Sequence, residues 1–87
     1  MHYVYLLENI ENKNWYIGFT ENIKRRLFEH NNGRGGRTTR IGKSWKMIYC
    51  EVYLNKEDAV GREKFLKGGS GRKYLKKQLT HYLKNIE

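Results

Sequence analysis

Three kinds of side chain in this sequence could act chemically on an anionic substrate. Arg26 lies beside the core-facing Leu27 and one helical turn before His30, on the same helix side. Glu63 shares a helix side with Ala59 and Leu66, and is the sole acid between Val60 and Asn85. Seven tyrosines complete the set. Taken singly, each has an ordinary explanation. Arg26 and Glu63 suit a boundary position with the charge reaching water. His30 suits a boundary position too, and tyrosines in a small domain more often fill core and boundary than act as general bases. Paired carboxylates, zinc-ligand spacing, a Cys/His nucleophile pair and a P-loop are all missing.

The charge distribution points to the substrate class. Eighteen Lys and Arg oppose nine Asp and Glu, a formal charge of +9. From His30 to Cys50 there are five basic residues, Arg34, Arg37, Arg40, Lys43 and Lys46, with no acid among them. From Lys64 to Lys84 there are seven more, again with none. Two acid-free runs in one small chain suit a phosphate-binding face, and nucleic acid is the first candidate partner. An anionic membrane surface fits less well, because no long helix pairs a basic face with a broad apolar one. The longest apolar run, Tyr3–Leu7, is far shorter than the roughly 18–20 residues of a membrane span. No basic segment precedes it, as a signal peptide would need. With 87 residues, one modest core and one domain over 1–87 are expected. The single cysteine excludes an internal disulfide framework and favours a cytoplasmic location.

The elements that must position these groups follow from pattern. Tyr3–Leu7 and Trp15–Phe19 read as strands joined through the Asn-rich turn around residues 9–14. A third strand covers 45–54, with Cys50 expected in the core. The expected sheet is three-stranded and antiparallel, over 2–8, 14–19 and 45–54. Helices are expected at about 21–31, 55–67 and 70–84, making an α+β domain. Thr20 is the expected cap of the first helix and Asn55 of the second, where Asp58 favours the helix dipole. Ser70 starts the third, with Leu75, Leu79, Tyr82, Leu83 and Ile86 as its apolar stripe. Residues 31–44 carry four glycines and read as a mobile loop.

Read in order, the residues carry a family resemblance. Tyr3-Val4-Tyr5, ten intervening residues, then Tyr16-Ile17-Gly18 resembles the paired signature of the GIY-YIG nucleases. Thr20 and Asn22-Ile23-Lys24-Arg25-Arg26-Leu27 resemble the helix after the second motif. His30 falls where many members carry histidine. Ala59 through Glu63 to Leu66-Lys67 resembles the helix that bears the family's metal-binding glutamate. The likeness spans about residues 3–80. It is greatest to small single-domain members, related to the N-terminal nuclease domain of a bacterial excision-repair protein. Tyr3 replaces the first motif's glycine, and Asn85 is only a weak match for the family's terminal asparagine.

The resemblance implies a GIY-YIG nuclease fold and a metal-dependent endonuclease acting on nucleic acid, DNA placed first, with one Mg2+ or Mn2+. Glu63 would hold the metal, and a hard oxygen ligand suits magnesium. Arg26 would face the scissile phosphate. Tyr5 or Tyr16 would be the general base or position the water, with preference for Tyr5. His30 would assist proton transfer or contact phosphate. Gly18 would let the chain turn toward the helix and keep the site open. Lys24, Arg25, Lys67, Arg72 and Lys73, with Arg34, Arg37, Arg40 and Lys43 of the loop, would grip the nucleic acid. Weak sequence specificity is expected, or specificity for a nucleic-acid structure, or a protein partner that supplies targeting. Two rival readings are a non-catalytic nucleic-acid-binding module of the same fold and a basic protein that docks on an acidic partner. Glu63 separates the nuclease from the binding module, since a carboxylate repels phosphate unless a cation bridges them.

Overall fold

The computed structural model describes residues 1–32 and 44–85. Strand β1 (His2–Asn9) is the middle of a three-stranded antiparallel sheet. Strand β2 (Trp15–Thr20) lies on one side and β3 (Trp45–Tyr53) on the other. The central position explains why β1 is buried without interruption from Val4 to Asn9. Alternation divides its side chains between two small cores. Val4 and Leu6 pack with Ala59, Leu66 and Leu75 of the later helices, whereas Tyr5 and Leu7 pack with Trp45, Ile23 and Leu27. Helix α1 (Ile23–Asn31) therefore covers one face of the sheet. Helices α2 (Lys56–Lys67) and α3 (Gly69–Gln78) cover the other. A short helix α4 (Thr80–Lys84) follows.

The expected fold class and all three strands are present. Asn55 caps α2 as expected, accepting from the amides of Glu57 and Asp58. The cap of α1 is different. Asn22, not Thr20, accepts from the Arg25 amide, at 3.1 Å. The buried Thr20 instead accepts from the Asn22 amide at 3.1 Å, shaping the turn before the helix. Cys50 is exposed rather than in the core. It pairs with Tyr5 across the sheet, but α1 packs toward Trp45 and Met47 and leaves the far end of edge strand β3 uncovered.

The expected long third helix is two. Leu79 leaves helical geometry (φ −102°, ψ 27°) and packs on the core, while the Thr80 hydroxyl donates to the Lys77 carbonyl at 2.6 Å. Ile86 lies outside the described residues. The helical span begins at Gly69, with Gly68 alone between α2 and α3.

That tight junction depends on Gly71, which is buried where α3 crosses the end of α2. A Cβ there would stand 2.2 Å from the Phe65 carbonyl oxygen and 2.3 Å from the Leu66 Cα. Backbone cannot yield as a side chain can. Gly71→Ala is expected to destabilise the fold by about 1–3 kcal/mol or more. Gly61, in α2 with nothing within 4 Å of its Cβ position, gives the opposite sign. Gly61→Ala should stabilise by about 0.4–1 kcal/mol. Thermal melts of the two variants check both.

Candidate active site

Tyr5 organises the α1 face of the sheet. Its ring lies across the partner position on β2, Gly18, so closely that a Cβ there would fall 2.3 Å from the Tyr5 Oη. Gly18 sits inside the strand, so its role is to leave room for the Tyr5 ring rather than to turn the chain. The Tyr5 hydroxyl is 2.9 Å from Nε2 of His30, which is fully buried on α1. The Tyr16 ring closes the group, 4.9 Å from the His30 ring and 6.4 Å from the Tyr5 ring between centroids. Two residues apart in pairing register, Tyr5 and Tyr16 point to the same side of the sheet.

The electrostatics of this group favour its neutral forms. Burial raises the Tyr5 phenol to about 12, although the Arg26 guanidinium directed at the same hydroxyl acts in the opposite direction. Burial lowers the His30 imidazole below its ordinary 6.5, and the nearby Arg26 charge lowers it further. Arg26 itself is held charged, first by Tyr5 and also by Glu29, whose carboxylate is 3.2 Å away. The site therefore contains a protonated phenol, a neutral imidazole and a fixed cation at neutral pH.

Glu63 belongs to α2, on the other face, yet its charge is felt at the Tyr5 hydroxyl. It is largely shielded from solvent and pairs with Lys67 at 3.0 Å. Helix α2 is fixed against β3 by a second cluster that sequence reading missed. The Glu51 carboxylate accepts from Arg62 Nε at 2.9 Å and Nη2 at 3.0 Å, from Tyr49 Oη at 2.5 Å and from Tyr53 Oη at 2.7 Å. Burial pulls the Glu51 carboxyl upward, but Arg62 and the two hydroxyls outweigh it and leave it below the ordinary range. The signal lay in strand alternation, which puts Tyr49, Glu51 and Tyr53 on one side of β3.

The structure brings together Tyr5, Tyr16, Arg26 and His30, with Glu63 within electrostatic reach. The basic residues are divided. Lys24 and Arg25 are exposed on α1, while Lys67, Arg72 and Lys73 are exposed on α2 and α3, across the sheet. Arg34, Arg37, Arg40 and Lys43 lie outside the described residues, as does the expected mobile loop apart from Asn31, Asn32 and Ser44. Among the described residues no group of three or more His, Cys, Asp and Glu gathers as a metal cluster, so a metal held by Glu63 would rely on one protein carboxylate. Also among them, no helix is long and apolar enough to cross a membrane.

This fold belongs to a known class of domain. The model of the family described as "GIY-YIG catalytic domain" matches residues 1–77. The chain belongs to the GIY-YIG family. Within it, the chain is similar to a UPF0213 protein of Staphylococcus saprophyticus, 33% identical over 75 residues, covering 86% of this chain and 90% of the relative. A UPF0213 protein of Clostridium perfringens is 39% identical over 67 residues, covering 77% and 71%. The solution NMR structure of a UPF0213 protein from Bacillus halodurans aligns with TM-score 0.53 at 33% identity, covering 93% of this chain and 83% of that one.

Two outcomes test the site's packing. Gly18→Ala must push the Tyr5 ring from its place, and is expected to destabilise by about 1–3 kcal/mol. Loss of the ring contact between Tyr5 and His30 in NMR spectra would accompany it. The second outcome concerns pH. Because folding lowers the His30 pKa, the unfolded chain takes up the proton first, and stability rises with pH through that interval. The contribution of neutral His30 is complete above about pH 6.5 and is lost as pH falls below it. Melting temperature should fall between pH 7.5 and 5.5, each lost kcal/mol reading as about 4–8 °C. His30→Gln should flatten that step.

Proposed function

We propose that this protein is a metal-dependent endonuclease that hydrolyses phosphodiester bonds in nucleic acid, DNA foremost, as a single domain with little intrinsic sequence specificity. The observation that carries this reading is the meeting of Tyr5, Tyr16, Arg26 and His30 over Gly18, with the Glu63 charge felt at Tyr5.

The donor set fits a hard divalent cation. Glu63 offers carboxylate oxygens at a position that already attracts the Lys67 ammonium. Mg2+ or Mn2+ is commonly held by one or two carboxylates, with water and substrate phosphate completing the shell. Bound there, the metal would offset charge developing on the phosphoryl oxygens.

The remaining work falls to the chain's own groups. Arg26 is a permanent cation whose planar fork can donate two hydrogen bonds to the scissile phosphate. At neutral pH Tyr5 is a hydroxyl, not a phenolate, so it serves as a relay. It takes a proton from the attacking water as it passes its own to the neutral Nε2 of His30. The water oxygen bonds to phosphorus while the bond to the leaving oxygen breaks, and that oxygen takes a proton from solvent. Tyr16 packs on both rings and keeps the relay aligned, leaving its hydroxyl to orient the water.

Labelled DNA and RNA panels incubated with magnesium, manganese or chelator test the activity. Glu63→Gln keeps shape and removes charge, and should lower cleavage at least about a hundredfold. Its metal-free binding should stay the same or tighten, because a repulsive charge is gone. Arg26→Ala should also stop cleavage, but with weaker binding. Cleavage by Glu63→Gln at the unmutated rate would refute the metal-ligand assignment. If the unmutated chain cleaves no substrate with metal, a binding module of the same fold replaces this reading.

A further inference from the structure

On the α2–α3 face of the sheet, opposite the Tyr5–His30 group, lies a cleft of about 240 Å³ between β2 and the α2–α3 pair. Its walls include Trp15, Tyr16 and Leu66, with the cations Lys67 and Arg72 at its rim. This combination of a flat aromatic surface, an apolar wall and two positive charges is the complement of a nucleotide. Aromatic rings stack bases of any identity, and cations track the backbone.

The aromatic surface is held in place. The Trp15 indole Nε1 donates to Glu8 at 3.1 Å, and Glu8 is 1% exposed. The other oxygen of Glu8 accepts from the Tyr82 hydroxyl at 2.5 Å. A buried carboxyl group thus fixes the plane of a half-buried indole, which removes much of the ordering cost of stacking. One planar cation already uses the ring. The Arg72 guanidinium lies over it, 5.4 Å from the centroid. Arg72 is exposed, so it can move to a phosphate without losing buried contacts.

The cleft connects to the candidate site at the β2 edge and through Glu63. Tyr16 lines it while its ring packs with Tyr5 and His30 on the α1 face, and the Lys67 ammonium at the rim is the partner of Glu63. A cleft this small admits one ring system. A base in a duplex could enter only by leaving the stack, which costs a few kcal/mol unless the base is already unpaired.

We infer that this cleft holds one unpaired nucleobase stacked on Trp15, with Lys67 and Arg72 on the adjoining backbone. The substrate is then single-stranded, bulged or branched nucleic acid rather than regular duplex. The inference rests on the proposed function only in taking nucleic acid as the partner, and its test needs no cleavage.

The test uses the full chain in chelator, with a short single-stranded DNA and the duplex of the same sequence. Fluorescence anisotropy reads affinity and tryptophan emission reads stacking. The single strand is expected to bind about tenfold more tightly than the duplex and to quench emission. Trp15→Leu, which keeps apolar bulk without a π face, should weaken single-strand binding by about tenfold, within the range for one stacked base. It should change duplex binding less than about twofold by the same principle. Trp15→Phe should keep most of the affinity and lose most of the quenching, since the other indole, Trp45, is buried. Equal losses on both substrates, or none, overturn the inference while leaving the nuclease reading intact. If Trp15→Leu does not fold, Trp15→Phe decides alone, and undiminished quenching in that variant overturns it. Binding of either substrate no tighter than that of an unrelated protein of equal charge removes the nucleic-acid reading, and this inference with it.

Discussion

The Tyr5 hydroxyl is a polar group set in the middle of the buried central strand, and the structure is arranged around satisfying it. A buried hydroxyl without a partner costs about 1–3 kcal/mol. The ring also needs space that no cross-strand side chain leaves. The glycine at position 18 supplies the space, and His30 supplies the partner. Both requirements fix geometry beyond the site. Gly18 must stand opposite Tyr5, so the β1–β2 register admits no slip. His30 must reach across, so the last turn of α1 is held over the sheet. Asn31 holds the same end by exchanging two hydrogen bonds with the Trp45 backbone, at 3.1 and 2.8 Å.

A chain with a large positive excess keeps the middle of this site neutral. The same desolvation that raises the phenol lowers the imidazole, so neither group is charged when nothing is bound. Formal charges stand around that centre, on Arg26 from one face and on the Glu63–Lys67 pair from the other. Glu51 and Arg62 determine where the second face sits. Their paired contacts tie the middle of α2 to β3 and so set the height at which Glu63 meets the sheet.

Much of this was legible because it rests on local periodicity. The strands announced themselves by β-branched and aromatic runs, and the paired tripeptides placed Tyr5, Tyr16 and Gly18 together in order. Arg26 and His30 were recognised as sharing a helix side, since a spacing of four admits little else. The parts that escaped depend on what lies across the sheet. Cys50 looks like a core residue from its neighbours, but the reach of α1 decides its exposure. Glu8 and Glu51 look like solvent-facing acids in a strand. Only the tertiary structure shows donors converging on them. The break at Leu79 was hidden because its apolar character fits a continuous stripe, and the core withdraws it from the helix axis.

Glu8 also ties in a stretch that lies past the family model. That model matches residues 1–77, whereas the carboxyl group of Glu8 accepts from Tyr82, 74 positions further along the chain. Lys46 lies over the same tyrosine ring, 5.4 Å from its centroid, and Leu79 fills the core on the way. A fragment trimmed at the end of the family model would keep every catalytic candidate. It would nonetheless carry an interior acceptor stripped of one donor and a gap where Leu79 had been. The indole would keep its own hydrogen bond, but to a carboxyl group that Tyr82 no longer holds in place. The span of the family model and the span that anchors the indole differ by the short helix α4, which steadies Trp15 on β2 by way of Glu8 on β1.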